Sequence, residues 1–218
     1  EIFPAHRLTW LRDVFGNSIA IADFTQSADR LEIRSEVVVE RSPPFPIEEP
    51  HPSWKTSFPV VYDPLEAIVV SAYQTSSYPD DVETLRPWLD ARLPATDPTD
   101  AEATIFTLGK LVHEQIRYLR RSERGVQTPA QTLALRTGSC RDMAVLMMDA
   151  ARVLGLAARF ASGYLDCEAS LAGRASTHAW CEIYLPVLGW RGFDPTIGEA
   201  TSLKHVVTGV SNHPRGVM

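Results

Sequence analysis

Apolar residues recur with two different spacings along this chain of 218 residues, and the change of spacing separates a helical part from a strand-rich part. Between residues 99 and 155 apolar side chains recur every three or four positions, which is the period of an amphipathic helix. After Gly155 the spacing changes to alternation, the period of a strand. Helices followed by a run of antiparallel strands predict an α+β fold.

The helical part carries clear start signals. Residues Thr99-Asp100-Ala101-Glu102 and Thr128-Pro129-Ala130-Gln131 both have the pattern of a capping box. The first predicts a helix with one apolar stripe, made of Ile105, Leu108, Val112, Ile116 and Leu119. The second predicts a short helix to about Arg136. A third helix is predicted in TGSCRDMAVLMMDAARVLG, starting at Cys140 and ending before Gly155, and short helices and loops are predicted over residues 64–98.

Three strands are predicted in the second part. They are LAARFASGYL (156–165), THAWCEIYL (177–185) and WRGFDPT (190–196), the last ended by its proline. The connection between the last two is short, so they should pair as an antiparallel hairpin.

The first 41 residues have the pattern of short strands with a turn at Phe15-Gly16-Asn17, and LEIRSEVVVE extends this pattern to Glu40. SPPFPIEEPHPSW then holds five prolines in thirteen residues, which excludes a helix or a central strand. We therefore predict a β-rich domain over 1–42, incomplete at its start, and a connector over 43–63, with a surface-hugging arm as the alternative. The main domain is predicted over 64–218 and truncated at its C-terminus.

Composition narrows the functional classes. The chain is 44% hydrophobic and 22% charged, as soluble globular proteins are, and its net charge of −6 disfavours nucleic acid or an anionic membrane as the main partner. The three cysteines form neither a disulfide framework nor a zinc-ligand spacing, so we expect no metal and no cofactor. A reducing compartment, the cytoplasm, is the expected location, and no apolar run is as long as a membrane span.

Three residues far apart in the chain could share one site. Cys140 starts a helix, His178 lies on one strand, and Asp194 ends the next. In an antiparallel hairpin the start of the first strand lies beside the end of the second, so Asp194 should reach the His178 imidazole. Taken singly, each residue has an ordinary structural interpretation; together they match a nucleophile, a base and an orienting carboxylate.

The chemistry depends on the thiolate. The N–H groups at a helix N-terminus and a nearby imidazolium both favour a cysteine anion. His178 would then protonate a leaving amine, Asp194 would orient the ring, and the backbone N–H of Cys140 could help to hold an oxyanion.

TGSCRDMAVLMMDAARVLGLAARFASGYL and THAWCEIYLPVLGWRGFDPT resemble the transglutaminase-like superfamily, above all its bacterial branch, often described as candidate cysteine proteases. In that family a cysteine opens a helix, a strand carries His-Ala-Trp-x-Glu, and the next ends in Asp-Pro-Thr. The resemblance covers roughly residues 128–200, and Asp13-x-Phe15-Gly16-Asn17 is similar to the N-terminal domain of the branch.

The resemblance implies a papain-like core of helices packed on an antiparallel sheet. It implies acyl transfer on an amide by a triad of Cys140, His178 and Asp194, acting as a peptidase, an amidase or a transglutaminase. The implied partners are an amide-bearing peptide or protein and, as second substrate, water or a primary amine. Family members usually continue with more strands after the aspartate, whereas this chain ends at Met218. It has no EF-hand loop, so calcium dependence is not implied.

Other residues are weaker candidates. Trp180 and Tyr184 share the face of His178 and are possible substrate contacts or core residues. Asp142 is expected to stabilise the helix start, with substrate contact as the second interpretation. Glu182 should pair with Arg141 or Arg159. Cys181 is expected in the core, Cys167 lies in a loop near the expected cleft, and His205 and His213 show no readable pattern.

Two functional alternatives stay open. One is an inactive peptide-binding module with the same fold, and the other is an acyltransferase similar to arylamine N-acetyltransferases, which use the same residue order on a related core. The sequence leaves open the substrate, the choice between water and amine, and the oligomeric state.

Overall fold

The computed structural model describes residues 1–41, 56–93, 99–166 and 177–218. The chain divides into two compact units, Glu1–Pro44 and Phe45–Met218. Most of the predicted proline-rich connector lies outside the described residues. Cys167, in a later segment, also lies outside them. The last part of that connector carries a short strand, Ser57–Phe58, which pairs with Thr99–Asp100 inside the second unit.

In the first unit, strands β1 (Ile2–Phe3) and β4 (Glu32–Ile33) pair, and β2 (His6–Arg12) forms an antiparallel hairpin with β3 (Ser18–Phe24). The Asp13 carboxylate closes the hairpin turn, since it accepts hydrogen bonds from the backbone N–H groups of Phe15 and Asn17. The strand predicted through residue 40 is wrong, because β4 ends at Ile33 and the valines at 37–39 are exposed. An apolar run becomes a strand only where a partner strand takes up its backbone hydrogen bonds.

Five helices are described in the second unit: α1 (Pro64–Gln74), α2 (Val82–Asp90), α3 (Ala101–Gln115), α4 (Pro129–Leu135) and α5 (Cys140–Val153). The capping box of α4 is confirmed, but α3 is capped by Asp100, whose carboxylate accepts from the N–H of Glu102. Leu119, assigned to the α3 stripe, lies beyond the helix end and is exposed. Among the described helices, none has the length and apolar character needed to cross a membrane.

One five-stranded antiparallel sheet dominates the second unit. Its strands are β9 (Ala157–Leu165), β10 (Thr177–Leu185), β11 (Gly189–Asp194), β12 (Glu199–Ala200) and β13 (His205–Ser211). Their order across the sheet is β12-β11-β10-β9-β13. The three predicted strands and their hairpin are confirmed, whereas β12 and β13 were not predicted. Two short pairs complete the unit: β5 (Ser57–Phe58) with β6 (Thr99–Asp100), and β7 (Arg117–Tyr118) with β8 (Thr137–Gly138), which is parallel.

Helix α5 packs on β9 and β10 and is buried from Met143 to Arg152, so it forms the centre of the core. The β10 residues that face it are Ala179, Cys181, Ile183 and Leu185, all buried. Each large apolar side chain buried here contributes about 1.5–3 kcal/mol. This is the predicted α+β architecture of helices on an antiparallel sheet, and the first residue of α5, Cys140, is partly exposed at the helix start.

A buried ion pair joins α5 to its surroundings. Asp149 and Arg152 lie one helical turn apart and bond at 3.2 Å with their side chains almost fully buried. Asp149 also accepts from Ser76 Oγ and from the N–H groups of Ser77 and Tyr78. Arg152 also donates to four further oxygens, the carbonyls of Tyr73, Ala158 and Asn212 and the hydroxyl of Ser77.

Candidate active site

The start of α5 is held by a buried carboxylate. Asp142 accepts hydrogen bonds from the N–H of Ser139 at 2.8 Å and from its hydroxyl at 2.8 Å. Arg121 and the N–H of Gln127 each donate to the same carboxylate at 2.7 Å. The four donors fix the Asp142 carboxylate, and through its two bonds with Ser139 this carboxylate holds the residue before Cys140 in place. Asp142 is fully buried, so the second interpretation, substrate contact, has no exposed surface to use.

A short parallel strand pair lies directly before the cysteine. Tyr118 pairs with Gly138, and a side chain on Gly138 would lie 2.9 Å from the Asp142 Cβ, so the tight joint between β8 and α5 needs glycine. Tyr118 is half exposed, and its pKa is raised by burial and by the nearby charge of Cys140. Sequence reasoning missed Tyr118 because a pair of two-residue strands leaves no periodic signal.

His178 and Asp194 meet as the hairpin prediction requires. The β10–β11 register pairs Cys181 with Phe193, and its continuation brings Asp194 opposite Trp180, on the same face as His178. His178 Nε2 donates to Asp194 Oδ2 at 2.6 Å, and the fully buried carboxylate also accepts from the N–H of Thr196 at 2.9 Å. This leaves Nδ1 as the ring nitrogen that is free to interact with Cys140, whose proximity helps to raise the pKa of His178.

The electrostatics of the pair favour charge separation. Burial lowers the pKa of His178, but hydrogen bonds with Asp194 and with Cys140 outweigh it and raise that pKa to about 9. Burial raises the pKa of Asp194, but hydrogen bonds from His178 and His205 hold it well below its usual range. An imidazolium beside an ionised carboxylate is therefore the favoured state of this pair at neutral pH.

The other residues predicted on the His178 face lie in different surroundings. Trp180 is 2% exposed and packs beside His178, which leaves it little surface for a substrate. Tyr184 lies six residues further along β10, about 20 Å away, where its hydroxyl bonds to Glu66. A shared face therefore does not bring Tyr184 to the cleft. Glu182 pairs with Arg159 at 2.7 Å, one of its two predicted partners, and Cys181 is buried as predicted.

A second residue near the site, after Tyr118, was not predicted. His205, at the start of β13, is 4% exposed and places Nε2 3.1 Å from Asp194 Oδ2. It arrives there because residues 201–204 connect β12 at one edge of the sheet to β13 at the other. No periodicity in the last twenty residues marks this contact, since it depends on that connection.

The same cluster bears on metal binding. His178, Asp194 and His205 offer three ligand atoms within 4.8 Å of one another, which is close enough to share an ion. Those same atoms already bond to each other through protons, with both histidines on Asp194 Oδ2.

Comparison with known proteins agrees with the fold. Residues 89–195 match the model of the transglutaminase-like superfamily, a span that includes Cys140, His178 and Asp194 but not His205. An uncharacterised protein of Mycobacterium tuberculosis is 25% identical over 224 residues, which cover 94% of this chain and 68% of that protein. A counterpart in Mycobacterium bovis matches equally well.

A solved structure supports the same fold. The crystal structure of a candidate cysteine protease from Cytophaga hutchinsonii superposes with a TM-score of 0.60 at 18% identity. The match covers 75% of this chain and 53% of that one, so this chain spans about half the length of the solved protein.

Proposed function

Because residues 89–195 match the model of the transglutaminase-like superfamily, which includes cysteine proteases and transglutaminases, we propose that this chain transfers the acyl group of an amide through a thioester on Cys140. The observation that carries the proposal is the arrangement of one imidazole between two partners. His178 bonds to Asp194 through Nε2 at 2.6 Å, and Cys140 is close enough to the same ring to help raise its pKa. This is the order of groups that nucleophilic catalysis by a thiol requires.

The reaction has two halves. The proton of Cys140 lies on His178, which is the imidazolium, and the thiolate attacks the carbonyl carbon of the amide. The carbon–nitrogen bond then breaks, and the imidazolium returns that proton to the leaving amine, which leaves an acyl group on Cys140. In the second half His178 takes a proton from water or from a primary amine, which attacks the thioester and releases an acid or a new amide. That proton stays on His178 and the sulfur leaves as the thiolate, which restores the starting ion pair.

Asp194 stays ionised throughout and orients the ring. Because the pKa of His178 is raised to about 9, the imidazolium that protonates the leaving amine is present up to about that pH. The first N–H groups of α5 have no partner within the helix, and the N–H of Cys140 is the candidate donor to the oxyanion.

We propose an amide-bearing peptide or protein as first substrate, with water or a primary amine as second. The hydrogen-bond partners of the triad do not discriminate between water and amine, since both would enter after the amine has left. A cytoplasmic location stays a prediction from the cysteine content.

The experiment uses peptide amides and glutamine peptides with hydroxylamine as a strong amine. Ammonia release and hydroxamate formation are measured for wild type, Cys140→Ala and the matched control Cys181→Ala. We expect Cys140→Ala to lose all turnover and Cys181→Ala to retain it, because the second thiol is buried in the core. Equal turnover in Cys140→Ala would disprove the proposal.

The same assay separates the alternatives. An inactive binding module would give no product with wild type on any amide. An enzyme similar to arylamine N-acetyltransferases would instead transfer acetyl from acetyl-coenzyme A to an arylamine.

A further inference from the structure

His205 makes two hydrogen bonds that have different partners and opposite directions. Its Nδ1 accepts from the backbone N–H of Ser202 at 3.1 Å, and its Nε2 faces Asp194 Oδ2 at 3.1 Å. The ring is almost fully buried, so both contacts are shielded from water. A buried side chain with both nitrogens engaged has one defined orientation.

The two partners together assign the position of the proton. Because Ser202 donates to Nδ1, that nitrogen carries no hydrogen, and in the neutral ring the proton lies on Nε2. Nε2 therefore donates to the Asp194 carboxylate. His178 on β10 donates to the same oxygen, so Oδ2 is held between two N–H groups.

The same tautomer argues against a metal ion in this cluster. A histidine ligates a metal through an unprotonated nitrogen, while its other nitrogen usually donates a hydrogen bond. In His205 the nitrogen that faces Asp194 and His178 is the protonated one, and the unprotonated one is used by Ser202. The cluster thus has the hydrogen-bond pattern of a held carboxylate.

Packing keeps His205 in this place. The indole of Trp180 meets the ring edge to face at a centroid distance of 5.3 Å. Beneath them, a Cβ on Gly163 would lie 2.0 Å from the carbonyl oxygen of Val206 and 2.9 Å from the Trp180 ring. Only glycine at 163 lets β13 and Trp180 approach so closely, and this approach brings His205 to Asp194.

We propose that His205 is a positioning residue that holds the Asp194 carboxylate in the orientation in which it orients His178. This inference rests on the proposed function, because it assigns His205 to the same triad. It adds a fourth member, which lies beyond the span matched by the superfamily model. Without its N–H, Oδ2 keeps one of its two donors, and the carboxylate is freer to turn away from His178.

Within the described ranges, three titratable groups outside the pair bear on it. Cys140 lies at the start of α5 and bonds to His178, and His205 approaches from β13. Tyr118 on β7 is within electrostatic range of Cys140. A substitution at His205 should therefore change the pKa of His178, while Cys140 and Tyr118 stay in place.

Two amides make a matched test of the two contacts. In His205→Asn the short amide reaches the position of Nδ1 and can still accept from Ser202, but it cannot reach Asp194. In His205→Gln the longer amide reaches the position of Nε2 and can donate to Asp194. His213→Asn is the control, since His213 Nδ1 also accepts from a nearby backbone N–H, that of Arg215 at 3.1 Å, and His213 does not contact Asp194.

The readouts report on His178 rather than on turnover alone. NMR follows the titration of the His178 ring, and mass spectrometry follows alkylation of Cys140 by iodoacetate against pH. Iodoacetate is an anion, so its reaction should slow when the imidazolium loses its proton near pH 9. Iodoacetamide, which is neutral, serves as the comparison reagent.

We expect His205→Asn to lower the pKa of His178 by about one unit from about 9, towards its ordinary value. The alkaline limb of the iodoacetate profile should move with it. His205→Gln should lie close to wild type, and His213→Asn should show no shift. An unchanged titration in His205→Asn, an upward shift, or equal shifts in Asn and Gln variants would overturn the proposal.

If His205→Asn does not fold, His205→Gln and the wild-type protein decide. Nitrogen-15 NMR of wild type should show His205 with its proton on Nε2, and the Gln variant should keep the wild-type titration of His178. A proton on Nδ1 would overturn the proposal. Failure of the proposed function is distinct: wild-type Cys140 would then react no faster than a free thiol, while the His178 titration still decides on His205.

Discussion

Two aspartates of the second unit, Asp149 and Asp194, are both fully buried, yet they have opposite kinds of partner. Asp149 receives hydrogen bonds from a hydroxyl, two backbone N–H groups and a guanidinium, none of which changes its charge near neutral pH. Asp194 receives one backbone N–H and two imidazoles. Imidazole is the side chain whose charge changes near neutral pH.

The difference in partners distinguishes a carboxylate with a structural role from one that can take part in chemistry. A buried carboxylate beside an arginine is compensated at every physiological pH, so the Asp149–Arg152 pair can only hold elements together. A buried carboxylate beside a histidine stabilises a proton on that ring, and His178 carries this proton next to a thiol. Burial alone therefore does not mark the site; the titratable partner and the neighbouring nucleophile do.

The largest expected effect is on turnover. Asp194→Asn should lower kcat by roughly 10⁴-fold, because the amide no longer favours the ring orientation and charge that the reaction needs. Circular dichroism should show an unchanged fold. A loss of less than tenfold in an otherwise folded protein would contradict the role of Asp194.

The same substitution at the other aspartate should act on stability. Asp149→Asn leaves the buried guanidinium of Arg152 without a charged partner, and we expect a loss of about 3–5 kcal/mol in the free energy of unfolding. Urea titration measures it, with Asp80→Asn as the exposed control. A variant of wild-type stability would mean that the pair is not structural.

The stability that comes from the Asp194–His178 pair should depend on pH, whereas that from the Asp149–Arg152 pair should not. The folded pKa of His178, about 9, lies above the unfolded value of 6.5, so its contribution is complete below pH 6.5 and is lost as the pH rises through 9. The upper bound of this contribution is roughly 3–4 kcal/mol, since each pKa unit corresponds to about 1.4 kcal/mol.

Urea titrations between pH 6 and 9.5 measure this decline. It should persist in Asp80→Asn and disappear in Asp194→Asn, because without the carboxylate the ring loses the main interaction that favours its proton. A decline of equal size in Asp194→Asn would show that another group causes it.

The smallest effect is expected at Tyr184. Tyr184→Phe removes one hydrogen bond to Glu66 at the far end of β10 and should reduce stability by about 1 kcal/mol or less. Turnover should be unchanged, in kcat and in KM. A raised KM would return Tyr184 to the substrate contacts that its strand face first suggested.

Sequence reasoning was accurate where a local pattern or a short connection decides the outcome. The start of α5 at Cys140 follows from the residues around it, and the His178–Asp194 contact follows from alternation and a short hairpin. It was wrong where a partner strand decides, as at residues 37–39, and it could not give the distance along a strand that separates Tyr184 from His178. A pattern gives the face on which a side chain lies but not what lies opposite.

By itself, the sequence determined the α+β class, the helix that begins at Cys140 and the strand pair that joins His178 to Asp194. These depend on hydrophobic period, capping and a short turn, which act within a few residues. Only the tertiary structure decided that Asp142 is enclosed by four donors, that Tyr118 lies near the thiol, and that His205 reaches Asp194. Those contacts join segments from different elements, and they form only when the whole core has packed.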